Sequence, residues 1–405
     1  MKTIFLLSWK NIWRNKTRSL ALMMAIILGI AAGLIMFGLV AGMVMQRFDG
    51  LVENHLSHIQ IHQKDYLREQ ENNLILPEPE KIRIVLDTIS LIEEKAFRTI
   101  SYGMIASGYN SSGVKILGIN KNEEAKISRF PQNIIEGKYL DEEMRYPLVI
   151  SERTAKKLKV RSGGRIVLTF QNLEGDITSA AFRISGIFRT SDANFDDANV
   201  HVLQKDLQEL LGNPNAFHQV AILIKDYKKA EDLAGRLREM LPELEIRSWA
   251  GLAPELKILV EQGSFIMYIF MIIILLGLSF GILNTMLMAV FERLQELGML
   301  MAIGVTKFKV ASMIVLETVY ISIIGGIFGV ILGISIHNLF VKDGLDLSRF
   351  ASALAEFGYD AIIYPILESK DIYITIGLVF LTAIIAAVIP AVRAIQLNPS
   401  EAIRK

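Results

Sequence analysis

Long runs of apolar residues alternate with polar segments along this chain. The apolar runs cover residues 20–45, 264–290, 310–340 and 372–392. A helix needs about 20 consecutive apolar residues to cross the hydrocarbon core of a bilayer, and each run is at least that long. The pattern therefore predicts four transmembrane helices, which we call spans one to four.

The polar segment between spans one and two, residues 46–262, predicts a separate folded domain. Short runs of apolar and β-branched residues, bounded by glycine-containing turns, predict strands. The predicted strands are His58–His62, Val114–Ile119, Leu148–Ser151, Arg165–Phe170, Ile177–Ile187, Ala198–Leu203, Val220–Ile224 and Glu245–Trp249. Predicted helices are Glu80–Lys95, Glu152–Leu158, Lys205–Leu211 and Lys228–Met240, with helical stalks at 46–57 and 251–262. The predicted fold is an α-helical membrane protein with four transmembrane helices and one large α+β extracytoplasmic domain between helices 1 and 2.

Basic residues near the ends of the spans predict the orientation. Residues 1–19 contain lysines and arginines but no acid, and Phe5, Trp9, Ile12 and Trp13 recur at helical spacing. This pattern predicts an amphipathic helix on the cytoplasmic face of the membrane. A signal peptide is the weaker alternative, because the following apolar run is too long for a signal-peptide hydrophobic region.

With the N-terminus inside, the spans place the other segments on alternate sides of the membrane. The large domain and the short loop 341–371 are expected outside, in the periplasm. The loop 291–309 and the tail 393–405 are expected in the cytoplasm. We therefore expect a multi-pass protein of the cytoplasmic (inner) membrane with both termini cytoplasmic.

Glycines recur at four-residue spacing inside the spans. Such small residues let neighbouring helices approach closely, although glycine is also generally frequent in membrane helices. The pairs are Gly29 with Gly33, Gly38 with Gly42, and Gly277 with Gly281, and span three carries the ladder Gly325, Gly329 and Gly333. Because the ladder has two overlapping steps, it is the stronger prediction of helix packing.

Composition narrows the possible functions. The net charge of +1 argues against nucleic-acid binding, and the absence of cysteine excludes disulfides, thiolate metal sites and a cysteine nucleophile. The sequence contains no phosphate-binding P-loop and no zinc-protease motif. His58 and His62 alone do not predict a metal site, because a strand with Ile59 and Ile61 turned inward explains them. We expect a non-catalytic chain without a cofactor of its own.

Glu317 is a carboxylate inside span three, where charge is costly and often functional. Proton coupling is one interpretation. The favoured one is an ion pair near the cytoplasmic interface with Arg293, Arg393 or an N-terminal base. It is favoured because Glu317 lies close to the inner end of the span and no chain of further intramembrane acids accompanies it.

Three stretches resemble one family. The pattern Glu292-Arg293-x-x-Glu296-Leu297-Gly298-x-Leu300-x-Ala302-Ile303-Gly304 resembles the coupling loop of FtsX/MacB-type (type VII, mechanotransmission) ABC transporter permeases. The tail from Pro390 to Ala402 resembles the C-terminal signature of that family, and Trp9–Lys16 also fits. Within the family, the large domain resembles lipoprotein-releasing, Lol-type permease subunits. The stretches that carry this second resemblance are His58–His62, Gly118–Ile119, Gly137–Leu140, Val149–Ser151 and Gly186–Thr190.

The resemblance implies a machine of several subunits in the lipid bilayer. Two permease subunits, identical or paralogous, would pair with two ABC ATPase subunits, which would hold the ATP and magnesium. The implied ATPase-coupling residues are Glu292, Arg293, Glu296, Leu297, Gly298, Met301, Ala302 and Gly304. ATP-driven closure would push on this loop, and the helices would move the outer domain.

The resemblance also implies how a substrate would be handled. In a Lol-type protein, lipoprotein acyl chains would enter between spans one and two of the dimer. The residues expected to line that cavity are Met36, Val40, Met43, Phe265, Met267 and Tyr268, which could instead face lipid or pack between helices. Two alternatives remain open: a MacB-like efflux permease that drives a periplasmic adaptor, and an FtsX-like regulator of a cell-wall hydrolase. A periplasmic lipoprotein chaperone would favour lipoprotein release over both alternatives.

Overall fold

A computed structural model describes residues 2–396 of the chain. In chain order its α-helices are α1 Lys2–Ile12, α2 Lys16–Leu51, α3 Tyr66–Glu69, α4 Pro79–Asp87, α5 Lys121–Ile127, α6 Glu152–Leu158, α7 Ala193–Ala198, α8 Gln204–Leu211, α9 Ala230–Met240, α10 Trp249–Leu252, α11 Pro254–Glu292, α12 Leu294–Ala302, α13 Lys307–Asp343, α14 Ala351–Glu356 and α15 Ser369–Ile395. Its strands are β1 Ile59–Gln63, β2 Ile92–Ala106, β3 Ser111–Ile119, β4 Ile134–Gly137, β5 Pro147–Ser151, β6 Arg165–Gln171, β7 Ile177–Phe188, β8 Asn199–Leu203, β9 Gln219–Ile224, β10 Leu244–Ser248, β11 Leu345–Asp346 and β12 Ile362–Ile363.

The chain divides into two compact units. The helical unit comprises residues 1–44, 261–346 and 362–405, and the α/β unit comprises 45–260 and 347–361. Within residues 2–396, four helices are long and apolar enough to cross a membrane: Lys16–Leu51, Phe265–Glu292, Lys307–Asp343 and Ser369–Ile395. They correspond to the four predicted spans, and the α/β unit is formed mainly by the segment between the first two.

The glycine ladder of span three packs against span one. A methyl group added to Gly325 would lie 2.9 Å from the side chain of Ile26, and one added to Gly333 would lie 3.0 Å from Leu34. At Gly329 the added methyl would be 3.0 Å from Ile30. Because glycine has no such methyl, α13 and α2 approach more closely than larger residues would allow.

The α/β unit is built on a ten-stranded sheet in which β2 joins two halves. The strand order is β10-β1-β9-β2-β3-β8-β5-β7-β4, and β6 pairs with β2 and β7. The first part of β2 pairs with β9, and its last part pairs with β3 and β6. One core lies around Phe97 and Val220, and another lies around Ile105 and Leu148.

Most elements of the α/β unit follow the predicted pattern, with one clear error. The predicted helix Glu80–Lys95 ends at Asp87, and Ile92 already begins β2. The charged residues 93–95 hid this strand, because they are good helix formers in isolation. Pairing with β9 decides their conformation, since strand formation depends strongly on neighbouring strands.

The interpretation of β1 as an amphipathic strand is wrong. Ile59, Gln60, Ile61 and His62 are all buried, because β1 lies between β9 and β10 and is covered on both faces. Nδ1 of His62 lies 2.9 Å from the carbonyl oxygen of His218, and its Nε2 lies 3.0 Å from the side-chain oxygen of Gln60. These contacts give the ring a structural role in the sheet.

Four histidines among the described side chains of the α/β unit are buried or half-buried, and we call them the buried histidines. They are His58, His62, His201 and His218. Burial lowers the pKa of His58 and of His218 to about 4, and lowers the pKa of His62 and of His201 to about 3. Burial has the opposite effect on a carboxyl, and it raises the pKa of Asp196 to about 7.

Candidate coupling site

The helix α12 is held between spans two and three by two sharp joints. The first joint is Arg293, which lies between the last residue of α11 and the first of α12. The second is Gly304, whose φ of 99° lies in the left-handed region that favours glycine. Its backbone N–H donates to the carbonyl of Met301 at 3.1 Å and closes the end of the helix. The sequence therefore fixes a short helix at a tight corner between two spans.

The two faces of α12 differ in burial. Leu297 and Gly298 are buried against the helical unit, and Met301 is half-buried. Ala302 and Gly304 are exposed. Of the residues predicted to couple to an ATPase, Leu297 and Gly298 thus face inward in this chain.

Sequence reasoning missed the large apolar residues on the exposed side of this corner. Met299 is 57% exposed, Ile303 is 78% exposed and Phe308 is 77% exposed. We call these three residues the coupling patch. The coupling residues implied by the resemblance do not include these three positions, although Ile303 lies within the motif itself. Their spacing was the available signal, because Met299 and Ile303 are four residues apart and lie on one helix face.

The carboxylates of the loop contact arginines of the N-terminal segment. Both terminal nitrogens of Arg14 donate to the carboxylate of Glu296, and Arg18 donates to Glu292. The hydrogen bond from Arg14 lowers the pKa of Glu296, and the same contact raises the pKa of Arg14. These two predicted coupling residues are therefore already paired within the chain.

A more buried ion pair lies beside the first. Nη1 of Arg293 donates to both carboxylate oxygens of Glu317 at 3.2 and 3.3 Å. Asn11 Nδ2 donates to Glu317 Oε1 at 2.6 Å, and Arg293 Nη2 donates to the Asn11 carbonyl at 3.1 Å. Arg293 is one of the ion-pair partners that the sequence offered for Glu317. A cavity of about 280 Å³ lies beside these groups and is lined by Arg14, Arg18 and Glu292 among others.

The N-terminal helix packs against span three. Ser8 is buried and its hydroxyl donates to the carbonyl of Met313 at 3.2 Å. The rings of Trp9 and Tyr320 meet edge to face, with centroids 5.6 Å apart. Two other residues of the predicted apolar face, Phe5 and Trp13, are exposed. Helix α1 is therefore fixed on α13 by one face and free to contact lipid with another.

The remaining glycine pairs have different neighbours. A methyl added to Gly29 would lie 2.7 Å from Leu278, and one added to Gly33 would lie 2.8 Å from Met271, so both meet span two. Gly277 and Gly281 have no atom within 4 Å of an added methyl. Their face of span two is open among the described residues.

The neighbours of Gly38 and Gly42 lie in span three and in the segment that leads into span four. At Gly38 the atom nearest to an added methyl is Cδ2 of His337 in α13, at 3.1 Å. An extended segment, Tyr364–Ile366, lies against them, and the Ile366 N–H donates to the Gly38 carbonyl at 2.9 Å. A methyl added to Gly42 would lie 2.1 Å from the Tyr364 carbonyl oxygen. This pair is therefore a seat for the segment that leads into span four.

The residues predicted to line a substrate cavity have unlike surroundings. Met36 and Phe265 are exposed, whereas Met267 is buried. The hydroxyl of Tyr268 donates to Oδ1 of Asp371 at 2.7 Å, and its ring lies 5.5 Å from that of Phe37. The other two, Val40 and Met43, are half-buried. Within this single chain, Tyr268 thus joins span two to the start of span four.

The predicted C-terminal signature is only partly visible. Pro390, Ala391, Arg393 and Ala394 lie in α15, and Ala391 and Ala394 are buried. Residues 397–402 of the signature lie outside the described residues.

Comparisons with known proteins identify the family. A family model described as the MacB-like periplasmic core domain matches residues 19–240, which is more than half of the 405-residue chain. A second model, described as the FtsX-like permease C-terminal, matches residues 268–399. The two matches together take in all four spans and most of the α/β unit.

Individual relatives agree with these matches. An uncharacterized ABC transporter permease of Methanocaldococcus jannaschii is 24% identical, covering 99% of this chain and 97% of the relative. The lipoprotein-releasing system transmembrane protein LolC of Buchnera aphidicola subsp. Schizaphis graminum is 25% identical, covering 92% of this chain and 90% of LolC. The macrolide export ATP-binding/permease protein MacB of Bdellovibrio bacteriovorus is 32% identical, covering 31% of this chain and 16% of MacB. The chain therefore belongs to the FtsX/MacB-type family of ABC transporter permeases.

Proposed function

We propose that this permease couples ATP hydrolysis by a separate ATPase to mechanical work outside the cytoplasm. The observation that carries the proposal is the coupling patch, Met299, Ile303 and Phe308. Large apolar side chains exposed within one short stretch of chain are typical of a protein contact surface. A groove on the ATPase would cover them, and its closure would push α12 and the two spans attached to it.

The proposal requires the coupling patch to face the cytoplasm. The basic N-terminal segment and Lys307 and Lys309 beside the patch support this orientation, since basic residues accumulate on the cytoplasmic side. The α/β unit then lies in the periplasm. The chain itself supplies no chemistry, and ATP and magnesium bind to the partner.

Coupling can be tested by substitution and co-purification. Ile303→Asp places a charge in the patch and should abolish co-purification with the ATPase, while membrane insertion is retained. Ile84→Asp is a matched control, because Ile84 is 66% exposed in the α/β unit, compared with 78% for Ile303. If Ile303→Asp still binds the ATPase as well as the control does, the patch is not the contact.

Because the chain has no cysteine, its orientation can be tested without a background reaction. Gln295→Cys should be labelled by a membrane-impermeant maleimide only after the cytoplasmic membrane is opened. Gln171→Cys in β6 should be labelled from the periplasm in the intact membrane. The reverse pattern would overturn the proposed orientation.

We propose lipoprotein release from the inner membrane as the substrate-level function. Its support is the similarity to LolC along 92% of this chain, compared with 31% for the MacB relative. Depletion of this chain followed by membrane fractionation tests it, and lipoproteins should accumulate in the inner membrane. If lipoproteins still reach the outer membrane normally, release is excluded. Loss of drug export would then favour the efflux alternative, and a cell-separation defect would favour the hydrolase regulator.

A further inference from the structure

Three side chains of the N-terminal segment donate hydrogen bonds to carboxylates in or beside the loop between spans two and three. Glu296 accepts a hydrogen bond from Arg14, Glu292 accepts one from Arg18, and Glu317 accepts one from Asn11. The partners are separated by 282, 274 and 306 residues of sequence. Two distant parts of the chain are thus joined where α12 meets the spans. We call Arg14, Arg18, Glu292 and Glu296 the arginine clasp.

The two arginines of the clasp lie at the junction of α1 with α2, and the two glutamates lie at the junction of α11 with α12. Arg14 lies in the turn between α1 and α2, and Arg18 lies in the first turn of α2. Glu292 is the last residue of α11, and Glu296 lies in the first turn of α12. A change of angle between α11 and α12 alters the separation of the two carboxylates. Because each carboxylate holds one arginine, the same change reaches the joint between α1 and α2.

The ion pair of Arg14 with Glu296 is much more exposed to solvent than the ion pair of Arg293 with Glu317. The side chains of Arg14 and Glu296 are 55% and 44% exposed, whereas those of Arg293 and Glu317 are 16% and 9% exposed. Water competes well with an exposed ion pair, so its arginine can leave and return at little cost. Breaking the buried pair would strand a charge away from water. Arg293 with Glu317 therefore acts as a fixed point beside the clasp.

The space around the clasp allows its side chains to move. The cavity of about 280 Å³ lies between the inner ends of α1, α2, α11 and α13. Its lining includes Arg14, Arg18 and Glu292 together with the polar residues Asn15 and Thr285. A guanidinium group can therefore change its position without displacing an apolar core residue.

We propose that the arginine clasp positions the coupling helix and passes its movement to span one through the N-terminal segment. Arg14 and Arg18 are positioning residues: they do not contact the ATPase but set the angle of α12 that the ATPase acts on. This inference rests on the proposed coupling function. It adds that the movement reaches span one directly, and not only through the two spans that adjoin α12.

The test uses the full permease co-expressed with its ATPase and measures ATP hydrolysis in nanodiscs. Arg14→Glu should lower kcat by about fivefold, with co-purification and the KM for ATP unchanged. The swap Arg14→Glu with Glu296→Arg should restore kcat to within about twofold, because it rebuilds the pair with reversed charge. Arg153→Glu is the matched control and should leave kcat unchanged, since Arg153 and Asp197 form an ion pair of the α/β unit with similar exposures of 52% and 46%.

The outcomes separate this proposal from the proposed function. Unchanged kcat in Arg14→Glu, or a swap that fails to restore it, would overturn the clasp. Loss of co-purification in Arg14→Glu would also overturn it, because Arg14 would then be a docking residue. Failure of the wild-type permease to bind any ATPase would refute the proposed function instead.

A second measurement reports on movement without relying on hydrolysis. Spin labels on Lys10→Cys and Gln295→Cys should show one narrow distance distribution in the wild-type background, which has no other cysteine. Arg14→Glu with Arg18→Glu should broaden that distribution, whereas Arg153→Glu should not. A distribution that stays equally narrow in the double variant would show that the clasp does not position α12.

Discussion

Substitution of Gly42 by alanine gives the most direct test of how span one is packed. The methyl group of alanine would lie 2.1 Å from the carbonyl oxygen of Tyr364 and 3.1 Å from the Cα of Pro365. Ordinary contacts of such an atom begin at 3.4 Å. The neighbours are backbone atoms, which cannot rotate away as the end of a flexible side chain can. The segment before span four would therefore have to move by more than an ångström.

The cost can be estimated from its parts. Forcing an extra methyl into a packed site costs about 1–3 kcal/mol. Movement of the segment also breaks the hydrogen bond from Ile366 to Gly38, worth about 1 kcal/mol. Alanine in a helix gains about 1 kcal/mol over glycine, which offsets part of the loss. We therefore expect Gly42→Ala to destabilise the protein by about 1–3 kcal/mol.

Thermal unfolding of the detergent-solubilised protein measures this loss. Gly277→Ala is the control, because nothing lies within 4 Å of a methyl group there and only the helix-propensity gain remains. Hydrogen exchange at the Ile366 amide gives a second signal and should become faster in Gly42→Ala. If Gly42→Ala is as stable as Gly277→Ala and the amide stays protected, the segment does not sit on these glycines.

Three further predictions concern helix packing, the buried ion pair and pH. Gly329→Ala should lower the melting temperature, because the added methyl lies 3.0 Å from Ile30. Gly326→Ala should not lower it, because the methyl there lies 3.8 Å from Val379. Equal melting temperatures of the two variants would contradict the ladder packing. Arg293→Ala should cost about 3–5 kcal/mol, since it leaves Glu317 buried and uncompensated, and adding Glu317→Gln should recover part of that loss in a double-mutant cycle. The buried histidines are neutral in the folded state and take up protons on unfolding below about pH 6.5, so stability should fall as pH drops from about 6.5 towards about 4. The raised pKa of Asp196 acts in the opposite sense over about pH 4 to 7, so Asp196→Asn should make the acid loss steeper; a melting temperature that is flat in pH would refute both assignments.

The division of α12 into two faces explains why the family motif alone was an incomplete guide. The predicted coupling residues include Glu296 and Gly298, yet Glu296 is paired with Arg14 and Gly298 is buried. We propose that these two residues hold the helix in place and that the coupling patch, which is defined by its exposure, is the surface that contacts a partner. Substitutions in the two sets should therefore fail differently, by loss of position in one and by loss of binding in the other.

The sequence alone determined the elements whose signal is local. The spans follow from the length of the apolar runs, because a bilayer has a fixed thickness and a polar group without a hydrogen-bond partner is costly inside it. Most strands of the α/β unit follow from short runs of apolar and β-branched residues. The ion pair of Glu317 also follows, because a carboxylate in a span needs a partner and Arg293 was one of few available.

The tertiary structure alone decided which distant segments meet. The pattern Gly38-x-x-x-Gly42 predicts close approach but not the identity of the neighbour, and the structure places the non-helical segment Tyr364–Ile366 against both glycines, with His337 of α13 beside Gly38. Residues 92–95 resemble a helix locally, and pairing with β9 makes them a strand. Arg14 and Glu296 are 282 residues apart, so no local pattern relates them. Contacts of this kind depend on the packing of whole elements, and the arginine clasp and the coupling patch both arise from them.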